Sequence, residues 1–201
     1  KKAGSIGDIS CTSFDPTKVL SAPGSGGMAF TNDKKIKDKI VKMRYHGKSY
    51  NGDHDDLGIN SQLSSINASA LLVKLKNFEI NQKKRINIAK KYINSLSSLP
   101  ISLPPKFKDN SHIYHKFVIQ TNFRDKLFNY LKQNGIEAVI HYKKTISKLS
   151  LFKKYKVKTP NADYLSDSSI SIPIHPYLKN KEIKFIIDKI NQFFKKKLYV
   201  K

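Results

Sequence analysis

The stretch SSLPISLPP, from Ser97 to Pro105, sets prolines at 100, 104 and 105. Proline locks φ and removes a backbone donor, so neither a helix interior nor a central strand runs through such a segment. A long helical pattern stops just before it. Leu63, Ile66, Ala70 and Val73, then Ile86, Ala89, Ile93 and Leu96, keep helical spacing. The spacing predicts a helix from Asn60 or Ser61 to about Ser95, with a break near Asn77. Two parts are therefore expected. Residues 1–96 end in the long helix, and residues 97–201 form a small α+β domain.

The first part opens with two β-prone runs, DISCTSF (Asp8 to Phe14) and GGMAFTN (Gly26 to Asn32). Between them SFDPTKVLSAPGSGG carries Lys18 among the breakers Pro16, Pro23, Gly24, Gly26 and Gly27. A helix follows, capped by Thr31, Asn32 or Asp33, with Ile36, Ile40 and Met43 on one face and Gly47 at its end. KSYNGDHDDLG (48–58) reads as an exposed loop. Asn60, by residue type alone, is a helix cap.

In the second part HIYHKFVIQ alternates, with Ile113, His115, Phe117 and Ile119 on one face. Asn122 caps a helix bearing Phe123, Leu127 and Leu131 that Asn134-Gly135 closes. IEAVIHY (Ile136 to Tyr142) and SISIPI (Ser169 to Ile174) read as strands, and SLFKKY as a turn or two of helix. Ile183, Ile186, Ile187, Ile190, Phe193 and Phe194 make the apolar stripe of a last helix, and FFKKKLYVK its basic end.

Hydrophobic residues are 39% of the 201 and charged residues 26%, which suits a globular protein and argues against disorder. No apolar run approaches the roughly 18 residues of a membrane helix, and KKAGSIGDIS has no apolar segment of signal-peptide length. Cys11 is the single cysteine, so disulfide frameworks and cysteine-built zinc sites are excluded. His46, His54, His141 and His175 fit no zinc spacing, and no metal is expected. The net charge of +23 suggests nucleic acid, but 35 of the 38 basic residues are lysine and none form a long block. Readers of bases and phosphates favour the arginine fork, so neither a nucleic-acid nor a membrane partner is expected. A cytoplasmic location is the default.

Lys18 is open to two readings. It is one surface lysine of many, or an amine presented for covalent chemistry with a carbonyl, pyridoxal phosphate above all. Ser13 and Thr17 lie close by in sequence, and Gly24 to Gly27 would permit close backbone approach to a phosphate.

Longer patterns weigh on this choice. GDISCTSFDPTKVLSAPGSGGMAFTND resembles the lysine segment of the DegT/DnrJ/EryC1/StrS sugar aminotransferases, through Gly7-Asp8-Ile9, Ser13-Phe14, Lys18, Leu20, Gly24-Ser25-Gly26-Gly27 and Thr31-Asn32-Asp33. MRYHGK, LGINSQLSSINASALLVKL, IYHKFVI, GIEAVIHY and SISIPIHPYL resemble later family segments in the same order, so the likeness covers nearly the whole chain.

The resemblance implies an α/β protein of the pyridoxal-phosphate-dependent transferase fold type I. Residues 1–96 would be the C-terminal part of its large cofactor domain, and 97–201 its small domain. It implies that Lys18 bears the Schiff base and shuttles a proton, that Ser13 binds the cofactor phosphate, and that Asn60 reaches the partner's cofactor phosphate in a homodimer. It implies transfer of an amino group, usually from glutamate, to a keto group of a nucleotide-linked deoxysugar. An amine at position 18 favours transamination over the dehydration of relatives with histidine there. His141 and Tyr142 read as packing or rim residues, or as substrate contacts. Gln62 and Gln120 stand where the family often has arginine, and HYKK lacks a usual proline, which bears on the choice of sugar. Family members run to nearly twice this length. The part before Lys1 would hold the aspartate that pairs with the pyridine nitrogen, so the 201-residue chain alone is expected to bind cofactor weakly, with that half supplied as a separate chain as one possibility. The contrasting reading is a truncated, noncatalytic remnant that dimerises or binds a sugar nucleotide.

Overall fold

A computed structural model describes residues 2–105 and 112–198. The chain divides into two compact units, Lys1–Glu79 and Ile80–Lys201.

In the first unit, β1 (Ile9–Ser13) and β2 (Gly27–Thr31) pair antiparallel, with Ile9 opposite Thr31 and Ser13 opposite Gly27. Both runs were predicted from their β-prone residues. Of the three candidate caps, Asp33 starts α1 (Lys34–Met43), its carboxylate accepting from the amides of Lys35 and Ile36 at 2.6 and 3.1 Å. Gly47 takes φ +73°, and its amide donates to Lys42 O at 2.9 Å, closing the helix as expected.

The next helix, α2 (Ser65–Lys76), begins later than its periodicity predicts. Ser64 caps it by accepting from the amide of Asn67, so Asn60 is not a helix cap. The buried face differs as well. Leu71 is buried, whereas Ile66 and Val73 are 78% and 61% exposed. Apolar and polar residues are scattered round SINASALLVKL, so its periodicity cannot select a face. Packing of Leu71 against Phe14 and Ala22 selects it. These three are the buried apolar residues of this unit among the described residues, while Met28 and Phe30 of β2 stay about half exposed.

The helical pattern breaks at Asn77, as predicted, and restarts as α3 (Phe78–Leu96), which belongs to the second unit from Ile80 on. This unit has a full core built around Tyr92, Phe117, Ile119, Leu131, Ile170 and Phe194. β3 (Phe117–Gln120) pairs antiparallel with β4 (Ser169–Ile172), Ile119 opposite Ile170. Single bridges extend this ribbon on both sides, Ser102 on Gln120 and Val139 on Ser171. α4 (Arg124–Gln133) ends in a Schellman turn: Gly135 (φ +72°) donates to Lys132 O, and Ile136 to Leu131 O.

Four expectations change here. The alternation around β3 does not reach Ile113, which is exposed, because Tyr114 at φ +47° turns inward instead. Phe123, not Asn122, stands at the cap of α4, and Thr121 Oγ1 accepts its amide. Ile136–Tyr142 is not a strand. It makes one bridge to β4, and then Ser166 Oγ donates to Tyr142 O and draws the chain off the sheet edge. A helix went unforeseen, α5 (Pro160–Ser168), although proline in its first turn is a start signal. SLFKKY forms one 3-10 turn at Lys153–Tyr155. The last helix, α6 (Asn180–Leu198), buries Ile183, Ile186, Ile190, Phe193 and Phe194 as predicted. The end of the basic tail, 199–201, lies outside the described residues.

Candidate active site

Lys18 is the fourth residue of a turn that its neighbours dictate. Asp15 O accepts from the amide of Lys18 at 2.9 Å, and Asp15 Oδ1 accepts from both the amide and the hydroxyl of Thr17, at 2.9 and 2.6 Å. Pro16 supplies the φ that the second position requires. The base of the loop is closed by Ala22 N donating to Phe14 O, and Phe14 N to Gly26 O, both at 2.8 Å. Phe14 and Ala22 are buried while Lys18 is exposed. Among the described residues no hydrogen-bond or ion-pair partner of the Lys18 amine is found. Ser13, the last residue of β1, is exposed, and its Oγ accepts from the amide of Asp15 at 3.2 Å.

The glycines after Lys18 permit close approach, but to the protein itself. A Cβ on Gly26 would lie 2.7 Å from Leu63 Cδ1, and one on Gly27 2.9 Å from Thr12 O. Along β2, Gly27, Met28 and Phe30 line a cavity of about 1180 Å³ with Arg44 and Gln62.

Asn60 lies in the same unit, exposed, between the loop 48–58 and α2. Its backbone bridges to Tyr45, and the flanking Ile59 and Ser61 amides donate to Met43 O and Arg44 O at 2.8 and 2.9 Å. The acidic loop before it is tied to α1: Lys42 Nζ donates to both Asp55 oxygens, at 3.0 and 2.9 Å, and this bond holds the Lys42 pKa above its ordinary value. Among the described residues no group of three or more His, Cys, Asp or Glu is arranged to hold a metal ion.

His141 and Tyr142 belong to the second unit. His141 Nδ1 lies 2.9 Å from Ser171 Oγ of β4. Burial holds its pKa below the ordinary value, with Lys116 and His115 adding to the effect. Tyr142 is 74% exposed.

Sequence reasoning missed three residues that shape the lysine loop. Asp15 is one, and the signal for it was Asp-Pro, a turn dipeptide. Asn67 and Lys74 of α2 also reach the loop. Asn67 Nδ2 donates to Ser25 O at 3.3 Å, and Lys74 Nζ to Ser21 O and Oγ at 2.6 and 3.0 Å. Their spacing about Leu71, four back and three on, was the available sign.

The model of the DegT/DnrJ/EryC1/StrS aminotransferase family matches residues 1–191. The chain belongs to this family. It is 32% identical over 186 residues to the UDP-2-acetamido-2-deoxy-3-oxo-D-glucuronate aminotransferase of Pseudomonas aeruginosa, covering 92% of this chain and 52% of that protein. It is 33% identical over 181 residues to the UDP-N-acetyl-3-dehydro-alpha-D-glucosamine 3-aminotransferase of Acidithiobacillus ferrooxidans, covering 90% and 49%. Among solved structures, a DegT DnrJ EryC1 StrS aminotransferase from Brucella abortus superposes with a TM-score of 0.89 at 33% identity, over 95% of this chain and 52% of that one. The chain thus spans about half the length of the curated relatives it matches. The expected fold class, the α/β pyridoxal-phosphate-dependent transferase fold type I, is borne out. DegT/DnrJ/EryC1/StrS aminotransferases depend on pyridoxal phosphate.

Proposed function

We propose that this chain carries the lysine-bearing part of an aminotransferase that moves an amino group, from glutamate, onto a keto group of a nucleotide-linked sugar. The observation that carries the reading is the presentation of Lys18. The Asp15–Lys18 turn exposes its amine five residues after the exposed hydroxyl of Ser13, in a chain that the family matches over 1–191. The donor set fits pyridoxal phosphate, with a primary amine open to an aldehyde and a hydroxyl open to a phosphate.

When bound, pyridoxal phosphate supplies an electron sink for the carbon that loses its proton. Lys18 would hold it through Nζ, and its free amine would move a proton between the substrate carbon and the cofactor carbon, as base and then as acid. Ser13 would hold the phosphate by a hydrogen bond from its hydroxyl. Asn60 serves the phosphate bound by a second copy of the chain. Ile66, Leu72 and Val73 of α2, 61–78% exposed, are apolar surface suited to that copy. The half-exposed Met28 and Phe30 beside the 1180 Å³ cavity call for further covering segments, so the 201 residues alone hold cofactor weakly. The two relatives at 32 and 33% identity are named for 3-keto UDP sugars, which makes a 3-keto group the first acceptor to test. A nucleotide-activated substrate supports a cytoplasmic location for the reaction. Among the described residues no helix is long and apolar enough to cross a membrane.

The test is borohydride reduction of the chain with added pyridoxal phosphate, followed by peptide mapping. Lys18 is expected to carry more label than any other lysine, and Lys18→Ala to abolish that preference. Label spread evenly over the lysines overturns the reading.

A further inference from the structure

We propose that Lys74 and Asn67 are positioning residues for Lys18: from one face of α2 they clamp the loop that presents the amine. The inference rests on the reading of Lys18 as the cofactor lysine.

Beyond the Asp15 turn, the backbone bonds that hold the loop lie at its base, Ala22 N to Phe14 O and Phe14 N to Gly26 O. From Asp15 to Ser25 it belongs to no strand or helix, and Pro16, Pro23 and Gly24 interrupt it. Its apolar anchor is small, Phe14 and Ala22 against Leu71, with Leu20 and Leu63 beside them. What remains is supplied by α2. Residues 67, 71 and 74 fall on one helical face because four and three residues each close about one turn. Leu71 seats the loop base, and the polar residues on either side of it grip the chain at two points after Lys18. Asn67 takes Ser25 O, on the glycine arm. Lys74 takes both the carbonyl and the hydroxyl of Ser21, three residues beyond Lys18.

The bonds to Ser21 are charge-assisted, and an ammonium carries enough donors to serve both oxygens at once. Lys74 also lies in the last turn of α2, where a cation opposes the partial negative charge of the helix end. The loop is thus held at Ser21 and Ser25, on the C-terminal side of Lys18, while the Asp15 turn holds the other side. In a chain with 35 lysines, a fixed loop is what distinguishes one amine from the rest.

The experiment uses the 201-residue chain and the variants Lys74→Met, Lys74→Arg and Asn67→Ala. Hydrogen exchange without cofactor reads the amides of Lys18 and Ala22, with Ile119 of the second unit as control. Borohydride trapping with pyridoxal phosphate, in which amine and aldehyde condense with loss of water before reduction, reads the share of label at Lys18. Lys74→Met is expected to speed exchange at Lys18 and Ala22 about fivefold, the factor for about 1 kcal/mol, with Ile119 unchanged. It should also lower the Lys18 share of label. Asn67→Ala acts in the same direction, and Lys74→Arg restores most of both readouts.

Unchanged exchange in Lys74→Met and Asn67→Ala overturns the clamp. Faster exchange with an undiminished Lys18 share also overturns it, since the bonds would then be structural alone. If the unsubstituted chain shows no Lys18 preference while Lys74→Met still speeds exchange, the clamp stands and the cofactor reading falls.

Discussion

Asp15 and Thr17 are joined twice, one carboxylate oxygen accepting the Thr17 amide at 2.9 Å and its hydroxyl at 2.6 Å. This pair turns the chain so that Lys18 leaves the protein surface two residues after a proline. Asp15→Ala removes both bonds at a cost of about 1 kcal/mol to the turn. The expected result is a drop of about fivefold in the rate of pyridoxal phosphate trapping at Lys18, with the urea midpoint of the second unit unchanged. Asp15→Asn keeps a carbonyl acceptor and should retain most of the rate.

Gly58 meets the chain where the loop 48–58 crosses the end of α1. A Cβ there would stand 2.6 Å from the carbonyl carbon of His46 and 2.7 Å from Met43 O, and would collide with the Gly47 amide. These are backbone atoms, so no side-chain rotation relieves the contact. Gly58→Ala is expected to destabilise the first unit by about 2 to 4 kcal/mol. Hydrogen exchange at Ile59 and Ser61, whose amides pair with Met43 and Arg44, should rise while the second unit keeps its protection.

Tyr92 is buried in the second unit and donates its hydroxyl to Pro173 O at 2.9 Å. Tyr92→Phe keeps the ring but leaves that carbonyl without its donor, a loss of about 1 to 3 kcal/mol by chemical denaturation. Burial also raises the Tyr92 pKa above its ordinary value of 10.0. The folded chain then holds this proton while the unfolded chain releases it, so stability present below pH 10 is lost as pH rises past that value. Tyr92→Phe should flatten that alkaline decline.

His141 gives the opposite dependence. Its folded pKa lies below the ordinary 6.5, chiefly through burial and then through Lys116 and His115. The unfolded chain takes up the proton first on acidification. Its contribution is therefore full above pH 6.5 and is lost as pH falls below it, levelling off once the folded group titrates. Urea midpoints between pH 8 and 5 should show the decline, and His141→Gln should reduce it. A midpoint that rises over this range contradicts the assignment.

The signals that could be read residue by residue were local ones. Asp33 caps α1 because a carboxylate finds the next free amides wherever the helix sits. Gly47 and Gly135 end helices because their φ values suit glycine. The stripe of α6 needs only one apolar side. The lysine segment was legible by its resemblance to a family, and the turn that presents the amine was encoded in Asp15-Pro16, though only the structure displayed both bonds to Thr17.

Sequence alone determined the breakers, the cap of α1, the two strands of the first unit, the last helix and the family, because each rests on contacts within a few residues or on an ordered set of motifs. Tertiary structure decided which side of α2, with its scattered apolar residues, turns inward, why Ile136–Tyr142 pairs with β4 at one residue only, and which α2 side chains reach the Lys18 loop. Those outcomes depend on atoms distant in the chain, such as Phe14 against Leu71, Ser166 on Tyr142 and Lys74 on Ser21. Short-range propensity is indifferent among the alternatives, and the packing energy of the folded chain selects one.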